Sequence, residues 1–198
     1  MEITQGVFTF IVALAAVING LGIVRIVGGL GDYLRRRDSL DVSYYWVHSL
    51  LTLFQLITHV LIWWALIALR DVSSINFLQY LCVLLGPTIL FLATSLLTPE
   101  ITDNKVDLHA DYMRFRRPYY SVMPFFWAWT IAIWPVFGYP VAPTWIFAAC
   151  WMITMIVLRL TDNTKIHAVL VSANWILLIV YIGKYAMQLA GVSRQMVQ

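Results

Sequence analysis

Long apolar runs separated by short charged connections set the pattern of this chain. Six stretches, 7–27, 44–69, 75–97, 119–137, 144–160 and 168–189, are apolar over lengths that approach or exceed the ~30 Å of a bilayer's hydrocarbon at about 1.5 Å per residue. The fifth is the shortest, and Arg159 near its end has a stem long enough to snorkel to the interface. The pattern predicts an all-α polytopic membrane protein, a single domain over residues 1–198 with six transmembrane helices. Two three-helix halves of inverted topology would fit such a count, although no residue-by-residue echo joins them.

Polar positions inside two of these runs are not scattered. His48, Thr52, Gln55 and His59 lie four, three and four residues apart, which at about 100° per residue places them within roughly a 60° sector of one helix face. In the last stretch His167, Asn174, Tyr181 and Gln188 recur every seven residues, with Tyr185 in the same sector and Lys184 at its edge. Neither stripe faces acyl chains cheaply, so both are expected to turn inward and meet. His59 lies ~16 Å deeper than His48 at the usual rise. It therefore shares the half of the membrane that holds Lys184, Tyr181 and Gln79.

Charge adds an orientation. Only 12% of residues are charged against 61% hydrophobic, about half the charge of a soluble domain. Arg25, Arg35, Arg36, Arg37, Lys105, Arg114, Arg116, Arg117, Arg159 and Lys165 fall in or beside the first, third and fifth loops, against Arg70 and Arg194 opposite. This asymmetry predicts an inner (plasma) membrane protein with those loops cytoplasmic and both termini outside. Asp32, Asp38, Asp41, Glu100, Asp103, Asp107, Asp111 and Asp162 sit on the same side, which predicts a salt-bridged cap. The net charge of +3 thus reflects topology rather than nucleic-acid binding. Met1–Gly6 has neither a basic residue nor a cleavage pattern, so the first run is expected to stay as a helix.

Smaller features refine the picture. Ala15, Ala16, Gly20, Gly22, Gly28, Gly29 and Gly31 predict a closely packed central first helix, with Asn19 in an interhelical hydrogen bond. Gly86-Pro87-Thr88 predicts a kink whose freed carbonyl needs a partner such as Thr88. Asp103, Asp107 and Asp111 opposite Leu108, Tyr112 and Phe115 predict an interfacial helix, with His109 turned away from the carboxylates, against a metal site. Tyr44-Tyr45-Trp46 and Pro118-Tyr119-Tyr120 read as an aromatic belt. Trp127, Trp129, Trp134 and Trp151 fall deeper and are able to line a hydrophobic pocket.

As chemistry, the two stripes form a ladder of titratable groups with amides and hydroxyls between. Histidine changes charge near neutral pH and relays protons. The functional expectation is a small channel or transporter, expected to be homo-oligomeric, that moves a proton or small ion along His48, Thr52, Gln55, His59, Asn174, Tyr181 and Lys184. The alternatives are a b-type haem held between His48 and His167, making an electron carrier, and a non-transporting assembly or signalling protein. Lys184 lacks a mid-membrane acidic counter-ion for Schiff-base chemistry, and no phosphate loop, nucleophile elbow or paired metal-ligand cysteines occur.

Overall fold

The computed structural model describes residues 2–36, 38–67, 69, 72, 74–99, 105–141 and 143–185. Arg37, Arg70, Glu100, Asp103, Gln188 and Arg194 lie outside the described residues. Six helices follow in order: α1 Glu2–Arg36, α2 Trp46–Leu66, α3 Phe77–Leu97, α4 Leu108–Val136, α5 Trp145–Leu160 and α6 Thr164–Lys184. Among the described residues four stretches are long and apolar enough to cross a membrane: Val12–Arg36 of α1, then α2, α3 and α6. The apolar α5 has 16 residues, and α4 carries its charges in its opening turns.

Helix ends follow local chemistry. Asn76 caps α3 and Gln79 reciprocates, each side chain taking the other's backbone N–H at 2.9 Å. The Asp107 carboxylate accepts from the N–H groups of His109 and Ala110 to start α4, and Asn163 accepts from Lys165 to start α6. A separate interfacial helix before residue 118 does not form. Instead α4 runs unbroken through Pro118, Pro124 and Pro135, and Tyr112 is buried in the bundle rather than laid on a leaflet. The Pro87 kink is likewise absorbed within α3, but Thr88 gives its hydroxyl to Leu84 O and not to the carbonyl that the proline frees.

The helix carrying the first polar stripe is the middle of the bundle. α2 packs on α1, α3, α4 and α6, while α3 on α1, α4 on α3, α5 on α4 and α6 on α5 complete the surround. Its inward positions, including Val47, Leu51, Phe54 and Ile62, join Tyr119, Tyr120 and Met123 of α4, Met155 of α5 and Leu178 of α6 in the main core. Leu53, Val60, Trp63 and Trp64 point outward.

The expectation of a central first helix is corrected. α1 lies at the edge, with Ala15, Asn19, Gly22 and Ile26 inward and Val17, Leu21, Val24 and Val27 exposed. Its glycines explain why: a methyl group at Gly20, Gly28 or Gly31 would meet nothing, so most of them are not used for close packing. Gly29 lies against Thr98, and Gly22 is the tight one, since a Cβ there would fall 2.2 Å from Cε1 of His59.

On the loop side a feature not read from the sequence joins two connections. β1 Asp41–Ser43 pairs in parallel with β2 Lys105–Asp107, tying the chain after α1 to the chain before α4. Arg116 and Arg117 of α4 both pair with Asp162 between α5 and α6, so the third such connection is held too. Arg35 and Asp32, 4.0 Å apart and exposed, add little.

The Gly22 contact is testable. Gly22→Ala should lower the melting temperature of the detergent-solubilised protein by the equivalent of about 1–3 kcal/mol of overpacking, while Gly20→Ala should leave it unchanged. Equal melting temperatures in the two variants would contradict this packing of His59.

Candidate functional site

Two hydrogen-bonded chains and one cavity hold the chemistry of the bundle. The first chain is centred on His59 of α2, which is fully buried. Asn19 of α1 gives its Nδ2 to the His59 backbone carbonyl at 3.0 Å, an acceptor only, which fixes the amide so that Oδ1 faces the ring. Nδ1 of His59, 2.7 Å from that oxygen, therefore carries the proton. Nε2 lies 2.8 Å from Oγ1 of Thr94 in α3. Gln55, one turn earlier, donates to Leu90 O and to Thr94 Oγ1, so its own oxygen is left to accept from the Tyr119 hydroxyl of α4 at 2.9 Å.

The donors and acceptors of this chain run in one direction, from Tyr119 through Gln55 and Thr94 to His59 and Asn19. Thr94 has a single hydroxyl proton and two claimants, His59 Nε2 and Leu90 O at 2.9 Å. With a neutral imidazole the Thr94 hydroxyl donates to Nε2. With an imidazolium the ring donates to Thr94 and the hydroxyl turns to Leu90 O. The cage thus accommodates both protonation states by rotating one hydroxyl.

The second chain lies toward the basic loops. His167 Nε2 donates to Thr161 O at 2.9 Å, which leaves Nδ1 to accept from the Tyr112 hydroxyl, and Tyr112 in turn accepts from Tyr120 at 2.9 Å. With His167 Nδ1 able only to accept, the Tyr112 hydroxyl is the donor of that bond. Arg116 adds Nη1 to Thr161 O at 2.8 Å and pairs with Asp162.

The structure brings the α2 stripe and the α6 stripe to different neighbours, which corrects the expected shared seam. His48 reaches Leu97 O of α3, Thr52 returns its hydroxyl to His48 O, and Gln55 and His59 face α1, α3 and α4. On α6, Asn174 meets Thr154 of α5, Tyr181 meets Phe147 and Trp151 of α5 edge to face, and Lys184 is exposed at the helix end. Although α2 and α6 touch, their junction includes the Trp175 indole donating to Leu50 O; among the described residues no hydrogen bond links the two stripes. Periodicity fixes which way a side chain leaves its own helix and says nothing about the neighbour it meets. For haem ligation His167, whose two ring nitrogens are both engaged, would have to give up one of its hydrogen bonds, while His48 is engaged through Nε2 at Leu97 O.

Asn19 makes the expected interhelical bond, whereas the sequence pattern does not mark Thr94, Tyr112, Tyr119 and Tyr120 as site residues. The tyrosine pair after Pro118 reads as an interfacial belt, yet Tyr119 and Tyr120 are among the most buried side chains. Their hydroxyls serve partners on α2 and within α4. Gln79, expected in the same half of the membrane as His59, completes the capping box of Asn76 at the start of α3 and also donates to Val136 O.

The cavity occupies the half of the bundle away from the basic loops. It measures about 140 Å³ and lies between the later turns of α2 and α4, the start of α5 and Tyr181 of α6. Trp127, Trp129, Trp134 and Trp151 all line it, as the sequence allows, with Trp145, Phe126 and Phe137. Gly86 makes room for one of them, since a Cβ there would sit 2.4 Å from the Trp129 ring, whose Nε1 donates to Cys82 O at 2.7 Å. Among the described residues no charged side chain is part of its lining.

No family model matches this sequence, and comparisons with curated proteins and with solved structures likewise return no match. The functional reading therefore stands on the geometry alone.

Thr94→Val should destabilise the bundle by about 1–3 kcal/mol, because His59 Nε2 and the Gln55 amide lose a buried partner. Thr52→Val, whose hydroxyl serves only its own helix, should stay within about 0.5 kcal/mol. Unfolding in mixed micelles measures both, and equal costs would contradict the clamp.

Proposed function

We propose that this protein crosses the membrane six times, with its basic loops cytoplasmic, and binds a largely apolar, membrane-soluble molecule in the tryptophan-walled cavity. The observation that carries the reading is the cavity itself: about 140 Å³, apolar and partly open. A void of about 150 Å³ lined by apolar side chains is enough to take up benzene. The volume suits a ring-sized head, with any chain extending into lipid. An unfilled apolar void costs about 24 cal/mol per Å³, which for this cavity is about 3 kcal/mol as an upper value. An occupant relieves that cost. The His59 clamp and the Tyr112–His167 chain then act as fasteners that hold the walls.

Six crossings require α4 and α5 to span as well. The ties among the three basic loops support this, because the ends of α1, α3 and α5 then share one face of the bundle. The excess of arginine on that face supports a cytoplasmic assignment in a plasma membrane.

Passage of a proton or small ion is the second reading, favoured by the Tyr119–Gln55–Thr94–His59–Asn19 chain. It ranks below because Gln55 to His59 rises only ~6 Å of a ~30 Å hydrocarbon layer. The ladder also breaks toward His48, whose nearest stripe neighbour bonds within its own helix.

Solvent extraction and mass spectrometry of the protein purified in mild detergent test the first reading. An apolar molecule should accompany the wild type and be lost from Ala148→Trp, which fills the cavity from a buried wall position. The milder Ala148→Leu should lose part of it. Identical extracts from folded wild type and variants would overturn the proposal. Proton flux in liposomes that His59→Ala abolishes would reverse the ranking.

A further inference from the structure

The α4–α5 junction at the basic end of the bundle holds a cluster that neither the cavity nor the histidine chains use. Arg159 of α5 is exposed and gives Nε to the Ser121 hydroxyl of α4 at 2.8 Å. Ser121 spends its own proton on the Arg117 carbonyl at 2.7 Å, so its oxygen is free to accept. A guanidinium has five N–H donors. The Ser121 bond takes one, and among the described residues the two Nη groups of Arg159 meet no carboxylate.

Arg117 lies one turn before Ser121 on the same face of α4, and its side chain is 68% exposed. It shares the Asp162 carboxylate with Arg116, so three guanidinium groups stand beside one acid. Asp111, the carboxylate within α4 itself, lines a small pocket beside His48 instead. One turn further from the loops the surface becomes apolar, with Phe125 of α4 68% and Ile156 of α5 43% exposed. Unspent arginine donors directly above an exposed apolar face match a molecule that is anionic at one end and hydrocarbon at the other. Resting on the reading in which α4 and α5 cross the bilayer, we propose that this junction binds an anionic phospholipid of the cytoplasmic leaflet. Its phosphate sits between Arg117 and Arg159, whose planar forks suit phosphate oxygens, and its acyl chain runs down over Phe125 and Ile156.

Native mass spectrometry of the detergent-solubilised protein tests the site, with phosphatidylglycerol and phosphatidylcholine of matched chains as probes and inorganic phosphate as competitor. The wild type should bind phosphatidylglycerol about five- to thirtyfold more tightly, what one or two arginines are worth beside anionic lipid. Arg117→Gln combined with Arg159→Gln should erase that preference, whereas Arg35→Gln, an exposed arginine on α1, should keep it. Ser121→Ala retains every charge and releases Arg159, so it should weaken the preference even if the double variant fails to fold. A preference that survives the double variant, one lost equally in Arg35→Gln, or displacement of the lipid by equimolar inorganic phosphate would overturn the site. A photoreactive group halfway down the acyl chain should label α4 and α5 around Phe125 and Ile156. Labelling there with no headgroup preference would overturn the phosphate site and leave the crossings of α4 and α5 intact; no labelling there would overturn both.

Discussion

A histidine placed where water is excluded must find all its partners in protein, and that constraint organises this bundle. His59 sits with no exposed surface, and its three polar atoms are met by Asn19 and Thr94. Satisfying it draws α1 and α3 onto α2, and the Gln55 amide extends the same demand to Tyr119 of α4. In hydrocarbon there is no apolar-transfer gain to bring helices together, so directional bonds and close packing carry more of the specificity. Gly22 shows both at once, because the ring that needs the bonds also needs the space a side chain would take.

Aromatic packing does on the cavity side what hydrogen bonds do around His59. Phe54 of α2 meets Trp127, Trp151 and Trp175 from three other helices, edge to face at 6.0–6.4 Å. Such pairs gain from the ring quadrupole only in particular orientations. The wide rings leave a gap where they fan apart, and small residues such as Ala148 do not close it. A cavity is thus the geometric consequence of building a wall from large rigid plates.

Much of the architecture is legible in the sequence, and the limits are physical. Apolar run length gives all six helices to within a few residues at most ends, because lipid and core both demand it. The inward direction of His48, Gln55 and His59 is also legible, since the cost of a polar group in lipid is set by its own helix alone. Partner choice is not. Tyr119 and Tyr120 follow a proline and a basic cluster, as interfacial tyrosines do, and only the continuation of α4 through Pro118 turns them inward. The glycines of α1 likewise permit close packing without requiring it, which is why the helix lies at the edge. The β1–β2 pairing escapes notice because three residues show no periodicity.

That short ladder has a mechanical meaning. The strand after α1 and the strand before α4 bracket α2 and α3, so pairing them closes the hairpin at its base like a clasp on a loop of cord. Pinning both feet holds the start of α2 against the end of α3, so the two helices stand as one unit at that face of the bundle. The wall built by α5 is fastened at its foot by arginines instead of a strand, Arg116 and Arg117 of α4 at Asp162 and the Thr161 carbonyl and Arg159 of α5 at the Ser121 hydroxyl.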